Sequence, residues 1–332
     1  MNSLRPFRFA CLAALVVGVG LSRDVRAQSS AVAPTTPAKT QVVAVIGASV
    51  SAGVDMRSEM AHQTGMSAPA GPSQTVTVTE ILRAVWRVDG APSVDVRDFS
   101  DKFVFLLSDV EREAQMARAL QAKPSLVIAI DYLFWFGYGP LTGVRDEDGV
   151  MAIPTDEQAK AQRLAHLERG LAILDRCDVP ILVGDFPDMS SANRLVLNPA
   201  WRPDTATLTA LNQRVTDYAK KRPNVRVFPL AERVAELQTK AYRIEYDGVA
   251  YEAQRKELFQ FDMLHPNRVG MTVLGEHLLA AIAAIETLPA SLRAAKPSAS
   301  ELVVPLAAVD QLKRSKKVMA EAGATGGGTG DR

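Results

Sequence analysis

Two short stretches of this chain hold residue types that could do nucleophilic chemistry together. The first reads Val45-Ile46-Gly47-Ala48-Ser49-Val50-Ser51-Ala52-Gly53. It continues an apolar run of strand length, so Ser49, two residues past a glycine, falls on the turn out of a strand. Its hydroxyl there faces a crevice and its N–H points into it. The turn lacks the G-x-G-x-x-G of a dinucleotide fold and the lysine of a phosphate loop. Taken by itself, such a serine is equally a cap for the following helix. The second stretch is Phe261-Asp262-Met263-Leu264-His265-Pro266-Asn267-Arg268-Val269-Gly270. An aspartate and a histidine three residues apart on a loop can set the carboxylate against Nδ1 of the imidazole, which fixes the tautomer whose Nε2 accepts a proton. Taken by itself, that pair is equally a surface histidine satisfied by an aspartate. Together the two stretches supply a nucleophile, Ser49, a general base, His265, and its orienting partner, Asp262. Pro266 and Asn267 then open the last amphipathic helix, with Asn267 as its cap.

Residues so far apart in sequence meet only if the intervening elements bring them together. Apolar runs at Val42–Ile46, Val94–Val96, Leu126–Ile130, Ile181–Val183 and Val225–Phe228 are continuous rather than alternating, as in strands covered on both faces. Amphipathic stretches at Val76–Arg87, Ser108–Gln121, Asp156–Arg176, Thr207–Lys220 and Arg268–Glu286 separate them, with Lys123-Pro124 and Val179-Pro180 marking turns into strands. This alternation predicts a doubly wound α/β sheet of five parallel strands, with the site at their carboxyl ends.

The two motifs resemble those of the SGNH or GDSL hydrolase superfamily. Gly47-Ala48-Ser49-Val50-Ser51 is similar to its first block, and the D-x-x-H-P-N of Asp262 to Asn267, followed by Gly270, to its last. The resemblance spans roughly residues 41–286. It implies a flavodoxin-like three-layer α/β/α sandwich, a Ser49–His265–Asp262 triad, and hydrolysis of esters or of acyl groups on carbohydrate with neither metal nor organic cofactor. Three positions depart from the pattern. Ala48 replaces the usual acidic residue. The Gly after the second strand and the Asn after the third, which join the serine N–H as oxyanion donors in the family, are not found in Val96-Arg97-Asp98-Phe99-Ser100-Asp101-Lys102 or in Asp131-Tyr132-Leu133-Phe134. The Ser100 N–H, Lys102 and the Tyr132 hydroxyl are the candidate substitutes. Asp131 would repel an oxyanion unless it is protonated or paired, for example with Lys102, or else it is a turn residue pointing away. Loss of one oxyanion donor costs about 10²- to 10³-fold in rate, so these departures bear directly on activity.

The aromatic run Tyr132–Tyr138 is either a pocket wall for an acyl chain or sugar ring, or core packing. Thr142–Thr155 is polar and turn-rich, a solvated loop or a lid. Asp185 and Asp188 follow the fourth strand, but no further ligand stands at metal spacing, so no metal is expected. His62, His166 and His277 lack a D-x-x-H context and read as surface or helix-packing residues.

The chain has 332 residues, 47% hydrophobic and 23% charged, enough to bury a full core. Thirty-eight basic and 37 acidic side chains give a net charge of +1, which offers no electrostatic case for nucleic acid or an anionic membrane. Residues 1–27 have the form of a signal peptide: Arg5 and Arg8, an apolar run from Phe9 to Leu21, and Val25-Arg26-Ala27 before the cleavage site. Arg23 and Asp24 end that run too early for a membrane span. Export to a periplasm or the exterior is therefore expected, with no span left after cleavage. Residues 28–40 read as a flexible linker, 41–288 as the hydrolase-like domain and 289–332 as a largely disordered extension. Cys11 would leave with the signal, and Cys177 is then expected to be buried or to pair between chains.

Three functions fit this reading. One is an exported serine esterase or acyl hydrolase acting on a small-molecule or carbohydrate ester, and another a catalytically impaired binding protein of the same fold. The third is an O-acyltransferase that passes the acyl group to a sugar hydroxyl.

Overall fold

Four of the five expected apolar runs open at the first residue of a strand, and the first strand begins one residue before its run. The computed structural model describes residues 40–67, 70–86, 94–103, 109–145, 151–152, 154–293 and 296–314. The expected signal sequence, all but the last residue of the expected linker, and residues 315–332 lie outside them. In chain order the strands are β1 (Gln41–Val45), β2 (Val94–Asp98), β3 (Leu126–Ala129), the short pair β4 (Val144–Arg145) and β5 (Met151–Ala152), β6 (Ile181–Gly184), β7 (Val225–Phe228), β8 (Tyr242–Tyr246) and β9 (Val249–Ala253). The helices are α1 (Met56–Gln63), α2 (Val78–Trp86), α3 (Asp109–Gln121), α4 (Phe134–Tyr138), α5 (Asp156–Leu174), α6 (Thr205–Lys220), α7 (Leu230–Thr239), α8 (Arg255–Leu258), α9 (Arg268–Ala283), α10 (Ala290–Arg293) and α11 (Ala299–Leu302).

The five expected strands form one sheet in the order β2-β1-β3-β6-β7, and every neighbouring pair is parallel. Helices α3, α5 and α6 pack as one layer, and α2 and α9 pack together as the other, giving a flavodoxin-like three-layer α/β/α sandwich. All of β3 and β6 is buried, which is why their sequences are apolar without alternation. The edges differ: Arg97 and Asp98 on β2 and Arg226 on β7 are exposed, and such charges discourage pairing with another chain. The chain reverses its direction of winding between β1 and β3, where Val45 pairs with Ile128, and in open α/β sheets this switch point is where a crevice forms.

Helices α1 and α7 and the β8–β9 hairpin are among the elements that go beyond the sequence reading. Helix α1 buries only Ala61 and so shows no apolar stripe; Asp55 caps it, accepting the Arg57 N–H at 3.0 Å. Helix α7 takes its cap from a distant residue, since Asp185 Oδ1 accepts the Ala231 N–H at 2.7 Å. Strands β8 and β9 join through Asp247 (φ 53°) and Gly248 (φ 70°), two left-handed residues of the kind a tight hairpin turn requires.

Part of the carboxyl-terminal stretch departs from the expected disorder. Residues 290–293 and 296–314 contain α10, α11 and a helical turn at 309–314, and they bury Leu292, Leu302, Val303, Leu306 and Leu312. Helix α9 is apolar around most of its circumference, and this stretch covers part of it. A capping box of Ser298 and Glu301 starts α11, and Glu276 Oε2 accepts the Ala299 N–H at 2.8 Å. Cys177 is buried, and burial pushes its thiol up to about 11. Among the described residues, no helix is long and apolar enough to cross a membrane.

Candidate functional site

The turn after β1 is built around a side chain from the neighbouring strand. Asp131, two residues past β3 and 4% exposed, turns its carboxylate into the backbone of residues 48–51. Oδ1 accepts the Ala48 N–H at 3.0 Å and the Ser51 hydroxyl at 2.5 Å, while Oδ2 accepts the N–H groups of Val50 at 2.8 Å and Ser51 at 3.1 Å. Ala52 N–H closes the turn by donating to the Ala48 carbonyl at 2.9 Å. Of the N–H groups from 48 to 52, that of Ser49 therefore has no acceptor among the described residues. Burial pushes the Asp131 carboxyl up, and its four donors pull it back. Gly47 is required by the same approach: it has φ +153°, and a Cβ placed on it would lie 2.1 Å from Asp131 Oδ1.

The second loop is closed as a small hairpin before α9. Phe259 bridges Pro266, the Gln260 N–H donates to the His265 carbonyl at 2.8 Å, and the Asn267 N–H donates to the Leu258 carbonyl at 2.9 Å. At its tip Met263 adopts a left-handed conformation (φ 56°), unusual for a side chain of that size. The tight turn lets Asp262 Oδ1 accept the N–H groups of Leu264 and His265, both at 3.1 Å, while Oδ2 accepts the His265 Nδ1–H at 2.6 Å. With Nδ1 so engaged, Nε2 is left as the acceptor of the ring. Nε2 is buried and has no hydrogen-bond partner among the described residues. Asn267 caps α9, its Oδ1 accepting the Gly270 N–H at 3.0 Å. Gly270 leaves room for the Leu258 carbonyl, which would stand 2.1 Å from an added Cβ.

Burial raises the Asp262 carboxyl, but the hydrogen bonds from His265 and Leu264 outweigh it and hold the group below the ordinary carboxylate range. A depressed folded value means stabilisation that is present above the unfolded carboxylate value and is lost as pH falls through the folded one. The melting temperature of the wild type is therefore expected to drop on acidification below about pH 4. Asp262→Asn keeps an acceptor for the two N–H groups and should show a flatter acid limb in melts run from pH 6 to pH 3.

Ser49, Asp131 and His265 line one cavity of about 30 Å³, whose remaining walls include Phe134, Met189 and Leu230. Ser49 is half-buried there and His265 is 6% exposed. Larger open grooves of about 510 Å³ beside Trp201 and about 380 Å³ beside Arg268 contain no histidine.

The other residues singled out in the sequence go elsewhere. The Ser100 N–H and hydroxyl both donate to Asp98 Oδ1, at 2.9 and 2.5 Å, so that N–H is not free to hold an oxyanion. Lys102 pairs with Glu59 of α1 rather than with Asp131. Tyr132 is buried and its hydroxyl donates to the Arg112 carbonyl at 3.0 Å, outside the cavity. Asp131 does line the cavity, as an acceptor for the turn after β1. The aromatic run divides: Phe134 faces the cavity and stacks on Tyr138 with ring centroids 4.4 Å apart, whereas Trp135 packs edge-on against Trp201. The Tyr138 hydroxyl donates to the Pro187 carbonyl at 2.5 Å, a core role. Residues 146–150 and 153 of the lid candidate lie outside the described residues. Asp185 caps α7 and Asp188 accepts the Ser190 N–H at 2.7 Å, so both carboxylates have structural partners. His62 is an exposed residue of α1, and His166 and His277 are half-buried on α5 and α9.

No family model matches the sequence, and no curated protein matches it. Among solved structures, the chain is similar to a gut microbial diltiazem-metabolizing enzyme, with 10% identity over 73% of this chain and a TM-score of 0.42. It spans about half of that enzyme, 47% of its length. It is also similar to TesA, with 13% identity, 74% of this chain and 99% of that one covered, and a TM-score of 0.37. A GDSL-like lipase from Bacteroides thetaiotaomicron matches with 11% identity over 75% of this chain and 89% of its own, at a TM-score of 0.36. The strand order, with a Gly-x-Ser turn after the first strand and a D-x-x-H loop before the last long helix, is that of a doubly wound α/β fold.

Proposed function

We propose that this chain is an exported serine hydrolase that cleaves carboxylic esters, with an alcohol part drawn from a small molecule or a carbohydrate. One observation carries the reading: the His265 ring is held by Asp262 at 2.6 Å, its buried Nε2 has no partner among the described residues, and His265 lines the same cavity as Ser49. Ser49 Oγ passes its proton to Nε2 and bonds to the ester carbonyl carbon, whose π electrons move to oxygen. Collapse of the tetrahedral intermediate expels the alcohol, which takes the proton from Nε2. Water, deprotonated by the same nitrogen, then releases the acid and restores Ser49. The Ser49 N–H, which Asp131 passes over, is the donor left for the oxyanion. Export rests on the amino-terminal sequence features described above.

The apolar wall and the small volume of the cavity favour a short, uncharged acyl group. Acetyl or propionyl esters of 4-nitrophenol are expected to give the highest kcat/KM, falling by about tenfold or more toward octanoyl. A fluorophosphonate should label the protein at one site, Ser49, by peptide mass. A folded wild-type protein that takes up no label would overturn the proposal.

A further inference from the structure

We propose that Gln260 is a positioning residue that sets the separation between Ser49 and His265. The proposal rests on the reading of those two as nucleophile and base. Gln260 is 2% exposed, and its amide spans from its own loop to the chain that follows the nucleophile turn. Oε1 accepts the Met56 N–H at 2.9 Å, and Nε2 donates to the Val54 carbonyl at 2.7 Å. Nε2 also reaches the Pro266 carbonyl at 3.4 Å. From there the connection runs both ways. The Val54 N–H donates to the Ser49 carbonyl at 3.0 Å, and the Gln260 N–H donates to the His265 carbonyl at 2.8 Å. A single side chain thus lies between two backbone hydrogen bonds, one ending on each of the paired residues.

Thr75 and Gln74 also grip the base loop, at the Pro266 carbonyl and the Arg268 N–H, but from the segment before α2. An amide of this length offers an acceptor for one backbone N–H and a donor for a carbonyl two residues away. Glutamate lacks the donor when ionised, and methionine fills the space but lacks both. Because the reaction depends on alignment, a displacement of about 1 Å between the two groups costs on the order of 10² in rate without weakening substrate binding equally.

The test uses the full chain with Gln260→Met and Gln260→Glu, followed by fluorophosphonate labelling, ester kinetics and thermal melts. Gln260→Met is expected to slow labelling and kcat by about 10- to 10²-fold with KM nearly unchanged in protein that still melts cooperatively. Gln260→Glu carries the distinguishing signature, and it serves also if the methionine variant fails to fold. Its activity relative to wild type should rise as pH is lowered, because a protonated carboxyl regains a donor for the Val54 carbonyl. Variants that label at the wild-type rate, or lose labelling only in proportion to their unfolded fraction with a ratio flat in pH, would overturn the role of Gln260. A folded wild type that takes no label overturns instead the nucleophile reading, and this proposal with it.

Discussion

Ser49→Ala is expected to lower kcat/KM for 4-nitrophenyl acetate by roughly 10⁴- to 10⁶-fold, to the level of His265→Ala. The two losses should not add, since neither a hydroxyl without its base nor a base without its hydroxyl forms the acyl-enzyme. A double variant no slower than either single one is therefore the informative result. The alanine at 49 keeps its N–H, so whatever stabilisation that donor gives the tetrahedral intermediate survives. Little else survives with it, because the Ser100 N–H is committed to Asp98 and residue 131 is an acceptor. The wild-type rate itself should be modest for the same reason: each missing oxyanion donor costs about 10²- to 10³-fold. Steady-state assays with matched purification controls, together with intact-mass detection of the acyl-enzyme, check this. Retention of full activity by Ser49→Ala would assign the chemistry to another group.

The second large effect is expected at Asp131. Its removal as Asp131→Ala strands three backbone N–H groups and the Ser51 hydroxyl, and a buried donor without a partner costs about 1–3 kcal/mol. The expected result is a marked fall in melting temperature and a drop of 10²-fold or more in labelling at Ser49, since the turn that aims its hydroxyl loses its frame. Asp131→Asn separates charge from shape. The side chain keeps its size, but its amide nitrogen would face N–H donors of the turn. Asp131→Asn is thus expected to loosen the turn rather than to preserve it. Gly47→Ala should reproduce much of the defect from the other side, because its Cβ would enter the Asp131 carboxylate at 2.1 Å and the backbone has φ +153°. Wild-type activity in Asp131→Asn would mean that the carboxylate plays no part in holding the turn.

The difference between what was legible in the sequence and what was not follows from the range of the interactions involved. Buried parallel strands are apolar on both faces, so β1, β3 and β6 announce themselves as unbroken runs of Val, Ile and Leu. The Asp262–His265 pair is equally local: three residues on one loop are enough to set carboxylate against ring. Asp131 is the opposite case. Its type at that position suggests repulsion of an oxyanion, and only the folded sheet reveals that it faces the turn from β1, some eighty residues earlier. Ser100, Lys102 and Tyr132 lie near the right strand ends, but proximity in sequence does not tell where a side chain points, and each finds a partner outside the cavity. The β8–β9 hairpin had a readable signal in Asp247-Gly248. The stretch after residue 288 did not, because its apolar residues are sparse and become meaningful only against the bare side of α9.

That covering of α9 bears on the loop that precedes it. The helix follows directly on the residues that hold the His265 ring, and its first residue is gripped from the later stretch, where the Leu306 carbonyl accepts from Arg268 Nη1 at 2.7 Å. Removal of residues 296–314 is therefore expected to loosen the Asp262–His265 loop as well as to bare one side of the helix.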